Sequence, residues 1–400
     1  MQHIALAWQI YLMTNQPLSL GLVGIVRAGP VLLFSVFGGA LADSMSRRKL
    51  LLITQSSLLI LSTIMAITVL TGIATVELLY LLVFLSATAS SADGPAHSAV
   101  IPSLVPRNLM TNAITLNNLS WSVAGIIGPA MGGLIIAGFG AGAAFAFDAF
   151  SFLAVIIVLL LVKAPLLPPE IPLDQRGIRG NLRRIKQGFS FLARTRIVLT
   201  LALLDFFAML FGASLTLLPV FARDILKVGP EGLGILASAP AVGAVLGAAG
   251  LTLVKRPRFP GRIVLFAIGL YAICVIVFGL STLFWLSWLM LAGTGLADTI
   301  SMTMRQSIRQ LMTPEEYRGR IAGVSYLFAV SGTQLGEFEA GVMAQVIGTQ
   351  PAVALGGIAC LSMVCLISWR SRSIRYFEET HAVDYEPPAL RSEVTKKLNV

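Results

Sequence analysis

Apolar runs of about 18 to 25 residues, separated by short polar links, recur along almost the whole chain, the pattern of helices that cross a hydrocarbon core about 30 Å thick. Read this way, the hydrophobic positions predict spans near 1–13, 18–42, 50–72, 77–101, 112–138, 141–162, 197–222, 232–254, 262–281, 284–308, 321–346 and 350–369. Strand-like alternation over about ten residues, which would announce a membrane barrel, is absent. The expected fold is an all-α membrane protein of twelve transmembrane helices. Residues 1–162 and 197–370 would form two six-helix bundles, joined by a Pro- and charge-rich linker at 163–196 and followed by a polar tail at 371–400.

Composition agrees with the pattern: 56% of the residues are apolar and 12% charged, and mean hydropathy is +0.84. Charge then orients the map. Of the 29 Lys and Arg residues, all but Arg27, Arg223 and Lys227 fall in alternate links or at their borders, in the linker or in the tail. Such segregation marks the cytoplasmic side of a helical membrane protein, and so places both termini and the linker there. The net charge of +10 therefore reflects topology and attraction to anionic lipid. No aromatic-interleaved basic patch or zinc-type spacing points to nucleic acid.

An internal repeat supports the two halves. A shift of 208 residues lays Gly39 on Gly247, Arg47 and Arg48 on Lys255 and Arg256, Pro106 on Pro314, Gly128 on Gly336 and Gly133 on Gly341. The same shift pairs His97 with Arg305 and carries Arg196, at the start of the seventh span, to a point before Met1, so the first helix is expected to lack its opening dozen or so residues. A signal peptide is disfavoured for residues 1–13, which have neither a basic n-region nor a small-x-small cleavage site.

Between the second and third spans stands GALADSMSRR, running from Gly39 through Asp43 to Arg47 and Arg48. It resembles the G-x-x-x-D-(R/K)-x-G-(R/K)-(R/K) loop of the major facilitator superfamily, with Ser44 and Ser46 departing from the pattern. In the second half Leu251 replaces the Asp. The fifth span carries GPAMGG, Gly128, Pro129, Gly132 and Gly133, similar to the GPxxGG portion of the superfamily's antiporter motif, although Thr115 and Ala124 stand where upstream glycines occur. TPEEYRGR from Thr313 and GEFEAG from Gly336 look like the branch of drug and siderophore exporters known as transmembrane secretion effectors. The resemblance implies a secondary transporter that rocks between two access states, with the Asp43 loop gating it and stabilising the outward-facing state.

Physical chemistry gives these residues work of their own. An acid at the cytoplasmic end of the second helix can accept from N–H groups at a neighbouring helix N-terminus and pair with Arg47, a cluster worth about 1 to 3 kcal/mol where partly desolvated. The alternative for Arg47, Arg48 and Lys49 is simple anchoring at lipid headgroups. Pro129 breaks the helical hydrogen-bond ladder, and the paired glycines admit a close neighbouring helix.

Ionisable groups inside apolar spans cost roughly 2.5 to 3.5 kcal/mol each, so they tend to face a cavity or a partner. They are Arg27, Asp93, His97, Asp148, Asp205, Asp298, Arg305, Glu337 and Glu339. Asp93 with His97, and Asp298 with Arg305, share helix faces and read as local acid–base pairs. Arg305 and His97 are expected to snorkel toward the interface. Asp205, Glu337 and Glu339 are expected to lie apart from any fixed cation, as proton-coupling carboxylates should. Since Glu337 and Glu339 lie about 200° apart around a helix, only one of them should face a cavity.

His3 and His381 read as inert surface residues, and Cys274, Cys360 and Cys365 as buried free thiols. There is no nucleophile elbow, phosphate loop or HExxH, so neither an enzyme, a cofactor nor a metal is expected, and an ion gradient must supply the energy. The sequence thus points to a monomeric transporter in the plasma (inner) membrane, exporting a small amphipathic molecule in exchange for protons. Alternatives are an importer of the same fold, a membrane-embedded enzyme, a non-transporting membrane protein and an inactive fragment.

Overall fold

Helix after helix accounts for the chain in the computed structural model, which describes residues 1–106, 109–161, 177–212, 214–253, 259–375 and 377. In order they are α1 (Gln2–Thr14), α2 (Pro17–Ser44), α3 (Arg47–Leu70), α4 (Val76–Leu104), α5 (Met110–Leu161), α6 (Gly177–Arg194), α7 (Arg196–Phe211), α8 (Leu218–Val220), α9 (Gly229–Leu253), α10 (Pro260–Leu280), α11 (Phe284–Met312), α12 (Glu315–Ile347), α13 (Thr349–Arg370) and α14 (Arg372–Arg375). Every regular element among the described residues is helical. Local chemistry sets several boundaries. Asn15 ends α1 in the left-handed region at φ 52°, its N–H returning to the Tyr11 carbonyl. Thr75 starts α4 by accepting from the Leu78 N–H at 3.3 Å.

Among the described residues, six helical stretches are long and apolar enough to cross a membrane: Arg47–Leu70, Thr115–Leu161, Arg196–Ile225, Gly229–Leu253, Pro260–Leu280 and Thr349–Arg370. Within the described residues, each of the twelve expected spans nevertheless falls mainly on helix. The fifth and sixth run together as α5 but part at Gly140, whose φ of 82° and ψ of 169° leave the helical region where the hydrophobic pattern divides them. α11 carries Asp298, Arg305 and Arg309, and α12 carries Glu337 and Glu339.

Two differences from expectation have local causes. The seventh span, expected to run unbroken, stops at Phe211 and resumes as a 3-10 turn (Ser214–Leu217), α8 and a π-helical turn (Phe221–Ile225). Tyr271 on α10 donates its hydroxyl hydrogen to the Gly212 carbonyl at 2.8 Å, diverting that acceptor from the helix ladder, and Pro219 removes a donor further on. Within the segment expected to be an exposed linker, α6 forms. Its Phe191 and Leu192 are buried, with the Phe191 ring stacked 5.0 Å from that of Tyr317 on α12. Its apolar positions recur at helical spacing, so an amphipathic helix with a core-facing side replaces open coil.

The chain divides into two compact units. The first comprises Met1–Leu182 with Leu215–Ser238, the second Arg183–Ser214 with Ala239–Val400. In the first, α2 packs on α4 and α3 on α5. In the second, α10 packs against α11 and α13, and α12 against α7. Phe191, Val198, Leu201, Leu204, Val264, Ile308, Val324 and Val364 share its core. Large apolar side chains such as Trp285 and Trp369 stay about three-quarters exposed, as lipid-facing residues do.

Candidate functional site

The second unit buries an ion cluster within otherwise apolar helices. Arg305, on α11, is only 2% exposed, the largest fully buried side chain among the described residues. Its Nη2 lies 3.1 Å from Asp205 Oδ1 of α7 and donates to Asp298 Oδ1 at 3.4 Å, two turns back on its own helix. Arg309, one further turn along, brings Nη1 to 3.9 Å from Asp205 Oδ2. The helical period places Asp298, Arg305 and Arg309 on one face of α11, and Asp205 meets that face from α7. Two cations thus balance two carboxylates, the arrangement that makes buried charge tolerable. Arg305 Nε and Nη1 and the nearby Ser301 Oγ are buried without a hydrogen-bond partner. Beside them Ala208, Met209, Ile268, Tyr271, Asp298 and Arg305 line a narrow crevice with no room for a water molecule.

This geometry confirms the expected Asp298–Arg305 pairing and corrects two readings. Arg305 does not snorkel, because Asp205 and Asp298 hold its head inside the protein. Asp205 is not apart from a fixed cation but lies against two. Arg309, Ser301 and Tyr271 were not singled out in the sequence. Only Arg309 left a signal there, four residues beyond Arg305 on the same face. Glu337 and Glu339 are both partly buried on α12, so exposure does not set one apart from the other.

In the first unit the buried carboxylates serve neighbouring helices. Asp93 accepts from Thr54 Oγ1 at 2.6 Å and Gln55 Nε2 at 3.0 Å, joining α4 to α3, while the side chain of His97, its expected partner, lies outside the described set. Asp148 accepts from Ser62 Oγ at 3.0 Å, tying α5 to α3. Of the gating loop, Gly39 and Asp43 fall on α2 with side chains outside the described set, and Arg47 opens α3. Arg48 Nη2 donates to the Leu160 carbonyl at 2.7 Å, satisfying an acceptor at the C-terminus of α5. This is a helix cap, more specific than headgroup anchoring.

The antiporter-like motif is a packing surface. Pro129 lies inside α5, and Gly128 and Gly132 face the first residue of the chain. A Cβ on Gly133 would stand 2.6 Å from both the Gly234 Cα and the Pro230 carbonyl oxygen, and one on Gly234 would stand 2.8 Å from the Gly133 Cα and the Pro129 carbonyl oxygen. The two glycines bring the start of α9 into backbone contact with α5. Beside this contact the Tyr11 hydroxyl donates to Asp224 Oδ2, and Arg223 donates to the Asn15 amide oxygen while its guanidinium lies 5.6 Å from the Tyr11 ring centre. The sequence signal for this second cluster was the departure of Arg223 from the charge segregation.

Smaller expectations also change. His3 is not inert, because Arg27 Nη2 lies 3.0 Å from its Nε2. Cys274 and Cys360 are buried free thiols, whereas Cys365 is exposed on α13. His381, the tail beyond Phe377 and the whole of 163–176 lie outside the described residues.

Residues 1–398 match the family model described as transmembrane secretion effector. Enterobactin exporter EntS of Escherichia coli (strain K12) is 26% identical over 377 residues, covering 94% of this chain and 89% of that protein, and EntS of Shigella boydii serotype 18 (strain CDC 3083-94 / BS512) matches to the same extent. Among solved structures, a mutant of the nucleoside transporter NupG superposes with a TM-score of 0.73 at 12% identity, covering 92% of this chain and 94% of that one. A mutant of the peptide transporter POT gives 0.72 at 13% identity, over 92% and 91% of the two chains. A bacterial homologue of the iron transporter ferroportin gives 0.66 at 16%, over 93% and 96%. At these identities the structural likeness is one of fold, and the family follows from the match along the whole sequence: the chain belongs to the transmembrane secretion effectors, transporters of the major facilitator superfamily and not enzymes.

Proposed function

We propose that this transporter exports a small amphipathic molecule across the plasma (inner) membrane in exchange for protons, as a monomer with both termini in the cytoplasm. The observation that carries the reading is the charge-balanced cluster of Arg305 and Arg309 with Asp205 and Asp298, set in apolar helices of a chain that aligns along 94% of its length with a protein named as an exporter. Polar groups are kept at that depth where a polar solute or an ion must be handled. Transport follows by alternating exposure of a substrate chamber as two six-helix halves rock, with Gly39, Asp43, Arg47 and Arg48 gating one side and the Gly128–Gly133 motif controlling helix approach. Glu337 and Glu339, half-sunk on α12, supply the proton-accepting carboxylates, and the basic links, linker and tail keep to the cytoplasmic side.

Everted membrane vesicles test direction and coupling together. A compound found by a drug and metabolite susceptibility panel on cells with and without the gene should accumulate in vesicles energised to be acid inside, and collapse of the gradient should release it. Glu337→Gln should abolish the gradient-driven part while the protein still reaches the membrane. Accumulation only under the opposite gradient would establish import.

A further inference from the structure

α6 carries more amphipathic surface than its packing uses. Residues 177–194 hold five cations and no acid. From Arg183 onward the helix belongs to the second unit, where Gly188, Phe191 and Leu192, with Thr195 just beyond its end, are buried at the i, i+3, i+4, i+7 spacing of one face. That face meets the first turns of α12, since a Cβ on Gly188 would stand 2.9 Å from the Arg320 carbonyl oxygen and 2.7 Å from Val324 Cγ2. About 160° around the helix, Lys186, Phe189, Ser190 and Ala193 repeat the same spacing, and all four are exposed. Arg194, also exposed, extends the row Lys186, Ser190, Arg194 at i, i+4 and i+8. Phe189 is 43% exposed even though its ring centre lies 5.9 Å from that of Phe328. Among the described residues, none of Lys186, Arg194 and Arg196 pairs with a carboxylate.

The neighbouring helix fixes where this face lies. Only Thr195, extended at φ −106° and ψ 90°, separates α6 from α7, and Arg196 opens an apolar stretch long enough to cross a membrane. The last turn of α6 is therefore tied to the hydrocarbon boundary, and its charge keeps it from following α7 inward. A helix held at that level, with an aromatic edge beside a cationic ridge, is suited to lie in the interface, ring toward the acyl chains and cations among headgroups. Charge decides the occupant. A phospholipid phosphate complements Lys186, Arg194 and the adjoining Arg196, while the acyl chains give the Phe189 ring an apolar setting that a water-soluble acidic partner lacks. We propose that the face of α6 formed by Lys186, Phe189, Ser190 and Arg194 is a binding site for the headgroup of an anionic phospholipid.

The inference rests on the proposed cytoplasmic placement of the linker for the leaflet that supplies the lipid, but its test needs no gradient. In full-length protein carrying Cys365→Ser, which leaves only the buried Cys274 and Cys360, Ala193→Cys places an environment-sensitive fluorophore on the exposed face. Titration in detergent micelles with phosphatidylglycerol should shift its emission to the blue saturably, whereas phosphatidylcholine should not. Each cation beside an anionic lipid surface contributes about a fivefold factor in binding, so Lys186→Gln with Arg194→Gln should raise the half-saturating concentration at least about fivefold. Lys49→Gln with Arg370→Gln removes the same charge from exposed positions on other helices and should change it less than about twofold. Raising KCl to about 0.5 M should weaken the response. The site is overturned if phosphatidylcholine shifts the emission equally, if the two charge-removing pairs behave alike, or if inorganic phosphate or a polyglutamate peptide reproduces the shift. Labelling of Ala193→Cys in intact cells by a membrane-impermeant maleimide would remove the cytoplasmic placement and leave lipid binding standing. A protected cysteine without lipid selectivity would do the reverse.

Discussion

Replacing Gly133 by Ala adds a single methyl group at a backbone-to-backbone helix contact of the first unit. That Cβ would stand 2.6 Å from the Gly234 Cα and from the Pro230 carbonyl oxygen, whereas unstrained carbon contacts lie at about 3.5 to 4.0 Å. Both obstacles are backbone, so no rotamer change relieves them, and the start of α9 must move about 1 Å from α5. Overpacking of this kind costs roughly 1 to 3 kcal/mol. Gly234→Ala meets the same wall from the other side, at 2.8 Å from the Gly133 Cα, and should cost a similar amount. Once the helices have separated for one methyl the second enters almost free, so the double variant should cost clearly less than the two singles together, by about 1 kcal/mol. Gly138→Ala is the control. A Cβ there meets nothing within 4 Å, and the helical Gly-to-Ala change is expected to be neutral or stabilising by up to about 1 kcal/mol. Thermal unfolding of the detergent-solubilised protein, followed by tryptophan fluorescence, should show both singles melting lower by a few degrees and Gly138→Ala not. Strict additivity of the pair, or equal behaviour of Gly133→Ala and Gly138→Ala, would refute the close approach.

Asp205→Ala leaves the buried guanidinium of Arg305 facing Asp298 alone and should destabilise by about 3 kcal/mol in the same melt, whereas Asp298→Ala, at a partly exposed position, should cost less. The reverse order would refute the assignment of Asp205 as the principal counter-ion. Tyr11→Phe removes the hydroxyl bound to Asp224; with the carboxylate about half exposed, the loss should be near 1 kcal/mol, and it should vanish in an Asp224→Ala background. Arg48→Ala should lower stability by about 0.5 kcal/mol through the lost cap on Leu160, while Lys49→Ala, on an exposed position, should leave the melt unchanged.

How much of this could be read from the chain depends on whether the deciding contact is local. The helices, the division at Gly140 and the pairing of Asp298 with Arg305 all follow from neighbours within two turns, and hydrophobic spacing carries such information. The break at Gly212 does not, because the hydroxyl that takes its carbonyl belongs to Tyr271, 59 positions away. Arg305 shows the same limit. Its distance from the helix end suggested a side chain reaching for water, and only the arrival of Asp205 from α7 makes burial the better outcome. α6 was legible in principle, since LRRIKQGFSFLAR keeps a helical apolar spacing that the surrounding Pro and charge obscured.

Departures from the charge pattern carried more about the sites than the pattern itself. Three cations stand outside the segregated set: Arg27, Arg223 and Lys227. Two of them have their charged ends held by side chains distant in sequence, Arg27 by His3 and Arg223 by Asn15 and the Tyr11 face. Lys227 instead sits in the left-handed region at φ 56°, with its side chain exposed, so its place is fixed by the backbone. A cation engaged by neighbours contributes packing as well as charge. Arg223→Ala should therefore lower the melting temperature, and Arg223→Lys should restore it only in part because the planar stack is lost. Lys227→Gly, by removing left-handed strain, should hold or raise it. Equal losses at 223 and 227 would show that both act through charge alone, and the link between topological exceptions and specific contacts would fail.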